Sequence, residues 1–524
     1  MAIEHRRVVI VLALVAAFMV FVDGTIVHLT LAQLAAHLDA SRAELEWAVN
    51  AYTLSFAAVM LGAGAITDAL GAKRAFVAGL LVFTIASAAC AAAPTMTVLN
   101  AARLVQGVGA ALLLPSALVL ATAAAPDGHA RNRLVGWWSA AGGVGMAAGP
   151  LLGGALVAVA DWRTVFGVNV LIGVPAAIWS LRSMPAVPRG ERRLDVTGMA
   201  TATLLIGGLV FALIEAPAQG LLSAPVVTAA VLAVARLTGF VLSTRAGRTP
   251  APPARAAQAG QRSPGLGDRT PLSRPGHTKQ APLPQPGHTK QAPLPQPGHT
   301  KQAPLPQPGR PKRAPLLPPG LYADRAFVAT AGQGALFNFA FYGLLFAMSL
   351  MLQQGRGLGA LTSGLLFLPL TGLIAVANLC AARLARRFGL PAVVGAAQAV
   401  LVVTFLLVAW AGTAAALWPL ALALVPAGFA SGLLVPAMTS QAIAAVGPRL
   451  HGAASAAFNT SRQVGGAVGI AVFGPLLGTV QGRLQDGFVV CVLVGAAAVA
   501  VGLLLTPLTR ERAGVAASAE PARA

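Results

Sequence analysis

Acidic residues are what this 524-residue chain has least of: 16 aspartates and glutamates stand against 37 lysines and arginines, and only 10% of all residues are charged. So few charges cannot cover the surface of a soluble protein of this length, and 56% of the chain is hydrophobic, with a mean hydropathy of +0.73. The three cysteines, Cys90, Cys380 and Cys491, are far apart in apolar runs, which excludes a disulfide framework and a clustered metal site. HExxH, GxSxG and the phosphate-binding GxxxxGK[ST] pattern are all missing, which argues against a metalloprotease, a serine hydrolase and an ATP-driven pump. No cofactor is expected.

What is present are long apolar runs. A helix needs about 20 apolar residues to cross a bilayer. Fourteen candidates occur, at 8–31, 47–67, 75–93, 96–122, 134–159, 164–181, 196–214, 221–242, 327–352, 358–379, 390–410, 416–442, 453–478 and 488–508. The first, with its short basic start, is long for a secretory signal and lacks a clear cleavage site, so it reads as a retained helix. Basic residues mark the cytoplasmic side of membrane proteins. With both termini cytoplasmic, only Arg42, Arg163, Arg356 and Arg483 fall outside, and Arg103, Arg236 and Arg462 fall within spans. The expected protein is all-α, multi-pass and placed in the cytoplasmic membrane.

Its organisation is repetitive. "GPLLG" at 149–153 returns at 474–478, "LLLP" at 112–115 returns as "LLVP" at 433–436, and "GAITDALG" at 64–71 aligns with "ARLARRFG" at 382–389. Matches in one order at near-constant offset imply two parallel six-helix halves, at 1–190 and 326–508, with two extra helices at 191–244 between them. A tail follows at 509–524. Parallel repeats around a central site suit a transporter whose halves rock against each other. Residues 245–325 carry an 11-residue tandem repeat, "QPGHTKQAPLP", rich in Pro, Gly and Gln. Such a composition reads as a disordered tether. Its 13 basic residues against Asp268 and Asp324 suit an anionic lipid surface, so nucleic acid is not needed as a partner. Its histidines, His277, His288 and His299, are too widely spaced in such a chain to read as a metal tract.

A family likeness appears in "DGTIVHLTL" (23–31), "WAVNAYTL" (47–54), "GAITDALGAKR" (64–74), "RLVQGVGAALLLPS" (103–116), "GVGMAAGPLLGG" (143–154), "WRTVFGVNVLIG" (162–173) and "SRQVGGAVG" (461–469). On these stretches the chain resembles the major facilitator superfamily, and within it the fourteen-helix drug:proton antiporters. His28, Ala32, Leu171, Ala69 and Ala72 depart from the usual pattern. The resemblance implies the major facilitator fold and proton-coupled export of small amphipathic drugs or antibiotics, cationic ones among them. The alternatives are an exporter of an endogenous metabolite and a non-transporting membrane sensor. A monomer is expected.

The residues carry specific expectations. "GGVGMAAG" imitates a dinucleotide fingerprint but lies inside a span rather than after a strand, so that reading fails. Gly145, Gly149 and Gly153, with Gly154 beside them, instead allow a neighbouring helix to approach closely, and Pro150 bends the helix. Asp68, Gly71, Lys73 and Arg74 are either a solvated charged turn or, as the resemblance implies, a conformational latch. Asp23 stands alone in an apolar helix, where a charge costs about 2.5–3.5 kcal/mol and is usually paired or functional. Counted from the outer ends of their spans, Asp23 and Arg103 lie at similar depths, about 12 and 10 Å, and are expected to pair. Burial disfavours a carboxylate whereas a guanidinium favours it, so Asp23 could take and release a proton as its surroundings change. Glu215 is a weaker candidate for the same coupling, and Arg462 has an expected packing or gating role. His28, Asn50, Tyr52, Gln106 and Asn338 are candidate substrate contacts.

Overall fold

The helices begin where the sequence supplies side-chain caps. Ser41 and Glu44 form a reciprocal capping box. Thr95, Asp127 and Asp324 accept bonds from the first free amides of the helices that follow them. The structure, a computed structural model, describes residues 3–184, 196–220, 222–233, 235, 319–447, 450–479 and 484–509. Residues 245–318 of the tether, 510–524 of the tail and the whole of 185–195 lie outside the described residues.

Fourteen helices among the described residues correspond to the fourteen expected spans. They are α1 (Ile3–Ile26), α2 (Arg42–Leu70), α3 (Ala72–Ala91), α4 (Met96–Ala123), α5 (Gly128–Val159), α6 (Trp162–Ser183) and α7 (Val196–Gln219). Then come α8 (Ala224–Ala233), α9 (Arg325–Leu350), α10 (Ala360–Phe388), α11 (Leu390–Thr413), α12 (Trp418–Ala444), α13 (His451–Thr479) and α14 (Leu484–Leu504). Eleven of the spans are long and apolar enough to cross a membrane. In α7 and α8 the apolar stretches are shorter, at Thr203–Pro217 and Ala224–Ala233. α13 runs for 29 residues but carries Asn459, Thr460, Ser461, Arg462 and Gln463 in sequence, which lowers its apolar character. The first span is not one straight helix. It tightens into a 3-10 turn over Val27–Thr30 and resumes as a short helix over Leu31–His37.

The two halves pack alike. In the first, α1 lies on α5, α2 on α4 and α3 on both α4 and α6. In the second, α9 lies on α13, α10 on α12 and α11 on both α12 and α14. The offset of the "GAITDALG" match carries α2 onto α10 end to end, and both helices stop at a glycine with positive φ, 84° at Gly71 and 83° at Gly389. A side chain is strained in that conformation, so glycine ends both helices at the same point.

The halves meet along two seams related by the same repeat, α5 against α10 and α2 against α13. α7 covers the second seam by packing on both α2 and α13. Small residues make the seams possible. A Cβ at Gly154 would stand 2.5 Å from the Ala360 carbonyl oxygen, and one at Gly364 would stand 2.6 Å from that of Pro150. Within the first half, the glycines of α5 do the same against α1. A Cβ at Gly145 or Gly153 would come within 2.6 or 2.7 Å of the Phe18 or Ile26 carbonyl oxygen, and one at Gly149 would overlap Thr25.

Candidate functional site

The candidate residues fall into two polar groups in the interior of the helical bundle. The first is built around Asp23 on α1, which has no solvent exposure. Arg103, from α4, donates through one Nη to Asp23 Oδ2 at 2.5 Å. Gln106, one turn on, donates to Asp23 Oδ1 at 2.8 Å, and Asn169 of α6 donates to the same oxygen at 2.7 Å. Arg103 also holds the Gln106 side-chain oxygen at 2.8 Å and the Ala48 carbonyl at 3.0 Å, and lies 4.4 Å over the Tyr52 ring. Gln106 reaches Ser87 at 2.8 Å. The carboxylate thus has three donors and a fixed countercharge, which is what a buried charge requires. The network ties α1, α2, α3, α4 and α6 together, all within the first half.

Asp23, Arg103, Gln106 and Tyr52, singled out separately in the sequence, therefore lie at one place. Asn169 and Ser87 complete that place and were not anticipated. An uncharged side chain in an apolar helix gives little signal, although Asn169 is the one amide in "WRTVFGVNVLIG". Asn50 is buried on α2 with neither side-chain atom hydrogen-bonded. His28 is also buried and both ring nitrogens lack partners, while its backbone carbonyl accepts a bond from Ser349 of the other half.

The second group lines a cavity between the halves. Asn338 on α9, Ser431 on α12 and Arg462 on α13 face it. Phe337, Phe341 and Tyr342 supply an aromatic wall, and Met146 enters from α5 of the first half. Arg462 donates through Nε to Asn338 Oδ1 at 3.3 Å and through Nη1 to Asn459 Oδ1 at 3.4 Å. Arg462, expected in a packing or gating role, is thus also part of the cavity wall.

Glu215 lies apart from both groups. It accepts a bond from Trp47 Nε1 at 2.9 Å beside the α2–α13 seam. There Glu46, 2% exposed, presses on Gly474, and Arg42 donates to the Gly474 carbonyl at 3.2 Å. Glu46 precedes the apolar run that defines the second span, so sequence reading places it outside the helix. The capping box starts α2 at Arg42 and carries Glu46 inside.

At the end of the bundle that holds the N-terminus, Asp68 sits half-buried in the last turn of α2. Lys73 donates from Nζ to the Met184 carbonyl at 2.5 Å, closing the end of α6, and Arg74 is exposed. A cation at a helix C-terminus meets its unsatisfied carbonyls favourably.

Two repeat-related seams, fourteen helices and a polar cavity between two repeated halves are the architecture of a membrane transporter. Residues 13–470 match the Major Facilitator Superfamily, and the chain belongs to that family. It is 31% identical over 471 residues to the methylenomycin A resistance protein of Bacillus subtilis (strain 168), covering 90% of this chain and 87% of the relative. The methylenomycin A resistance protein of Streptomyces coelicolor (strain ATCC BAA-471 / A3(2) / M145) is 30% identical over 467 residues, covering 88% and 83%. Among solved structures, the nucleoside transporter NupG (D323A mutant) superposes with a TM-score of 0.58 at 12% identity, covering 96% of this chain and 100% of that one. That likeness is one of fold.

Proposed function

We propose that the protein exports small amphipathic drugs or antibiotics across the cytoplasmic membrane in exchange for protons, by alternating access of the central cavity. The observation that carries the reading is the buried Asp23 carboxylate, held by Arg103 and Gln106 of α4 and Asn169 of α6. Any rearrangement of α1 against α4 and α6 removes donors from Asp23 and changes how readily it holds a proton. A proton bound in one arrangement and released in the other couples its inward flow to outward movement of substrate. Relatives named for antibiotic resistance, matching nearly the whole chain, support efflux as the direction. The distribution of arginine supports a cytoplasmic position for both termini, with the loops around Ala40, Asp161 and Arg356 outside.

Everted vesicles energised to an acidic interior test this. Wild-type protein is expected to take up an amphipathic substrate and release protons with it. Asp23→Asn, inserted to the same level, is expected to lose both. Full uptake with intact proton release by Asp23→Asn would remove Asp23 from the coupling step.

A further inference from the structure

The cavity between the halves has more donors than acceptors. Arg462 enters it with a full positive charge, and its two bonds, at 3.3 and 3.4 Å, go to neutral amide oxygens of Asn338 and Asn459. Among the described residues no carboxylate lies within ion-pair distance of it. Between 325 and 509 the chain has one acidic residue, Asp486, in the first turn of α14 and not among the cavity-lining residues. The contrast with Arg103 is direct, since that buried guanidinium has its carboxylate at 2.5 Å.

The neighbouring polar atoms lean the same way. Asn338 is 1% exposed and spends its oxygen on Arg462, which leaves its Nδ2 without a partner. Ser431, 3% exposed, has an unpartnered hydroxyl. Buried polar groups are normally satisfied, and Arg462, itself part-buried, is a cation without a counter-charge in a largely apolar wall. Donors left open on one wall of a transporter cavity therefore specify what arrives: a group rich in acceptors and negatively charged. The rest of the wall is apolar and aromatic, with Phe337 and Phe341 centroids 5.7 Å apart and Phe341 and Tyr342 5.5 Å apart.

We propose that the cavity binds its substrate by an acidic head group, so that the exported molecules are amphipathic organic anions, a carboxylate or sulfonate on an apolar or aromatic body. Arg462 holds the anion, Asn338 and Ser431 complete its hydrogen bonds, and the aromatic wall takes the body. This rests on the efflux reading and narrows it, replacing the cationic substrates that the family likeness suggested. A cationic head group would meet the Arg462 charge with no carboxylate on the wall to offset it.

Three compounds with one aryl body test the head group: 1-naphthylacetate, its amide, and 2-(1-naphthyl)ethylammonium. Their protein-dependent uptake, the difference from vesicles lacking the protein, is measured in everted, acid-interior vesicles, with insertion checked by immunoblot and gel filtration. The anion is expected to be accumulated in preference to both others. Arg462→Gln is expected to cut its uptake by about tenfold or more, the usual scale for losing a charged hydrogen bond. Asn338→Asp gives Arg462 an internal carboxylate, and is expected to abolish anion preference while the folded protein persists. Uptake of the ammonium compound and not the anion would overturn the proposal and leave efflux standing. So would unchanged anion uptake in both Arg462→Gln and Asn338→Asp. Absence of energised uptake for all three compounds in inserted wild-type protein would defeat the efflux reading and this inference together.

Discussion

Asn169 of α6 gives Asp23 of α1 one of its three donors. Removing it leaves Oδ1 with Gln106 alone. Asn169→Ala is expected to destabilise the purified protein by about 1.5–3 kcal/mol, seen as a lower thermal midpoint in detergent. An unchanged midpoint would mean that water or Ser87 takes its place. At this scale charge was legible in the sequence and neutral polarity was not. Asp23 and Arg103 stood out because an ion in an apolar helix is costly enough to be rare, and counting residues from the helix ends set them level. Asn169, Ser87 and Ser431 cost less to bury and so leave no comparable mark. Glu46 escaped for another reason, since the helix that buries it starts before its apolar run does.

Helices α5 and α10 touch backbone to backbone at Gly154 and Gly364, and that contact depends on the missing side chains. Gly364→Ala forces a methyl group toward the Pro150 carbonyl, an overpacking that costs about 1–3 kcal/mol. The expected result is a protein that inserts but transports poorly. Alkylation of a cysteine placed at buried Ser363 should also become several-fold faster as the seam loosens. Equal labelling rates with and without Gly364→Ala would show that the seam tolerates the methyl. Glycine spacing on α5 announced a close helix contact in the sequence. It did not say that two faces of α5 are used, Gly145, Gly149 and Gly153 toward α1 and Gly154 toward the other half. Spacing defines a stripe along a helix, whereas the partner of each stripe is set by how distant helices pack. The second seam departs from the first where it matters most: the repeat position of Gly364 is held by Glu46, whose side chain fills the gap over Gly474.

Across the whole chain, apolar periodicity and the repeated motifs were enough to give the number of helices and their pairing, because lipid leaves a buried backbone little choice but helix. The break over Val27–Thr30 was hidden, since nothing in that run interrupts its apolar character. The helices and seams described above are built entirely from residues outside the proline-rich repeats. Deleting residues 274–307 is accordingly expected to leave uptake in vesicles within about twofold of wild type, a margin small beside the tenfold steps that lost contacts produce. A transport loss in correctly inserted protein would give the repeats a working role.

Arg462 has an electrical consequence as well as a chemical one. A guanidinium without a carboxylate makes the empty cavity positively charged. A membrane potential acts on such a charge with up to about 2.3 kcal/mol per 100 mV if it crosses the whole field. If the halves rock as proposed, Arg462 moves through part of that field, and an interior-negative voltage is expected to draw the substrate-free carrier toward its cytoplasmic opening. An anion bound there cancels the charge. On the proposed anion export, the loaded carrier is expected to turn outward almost indifferent to voltage, and the potential to do its work on the return.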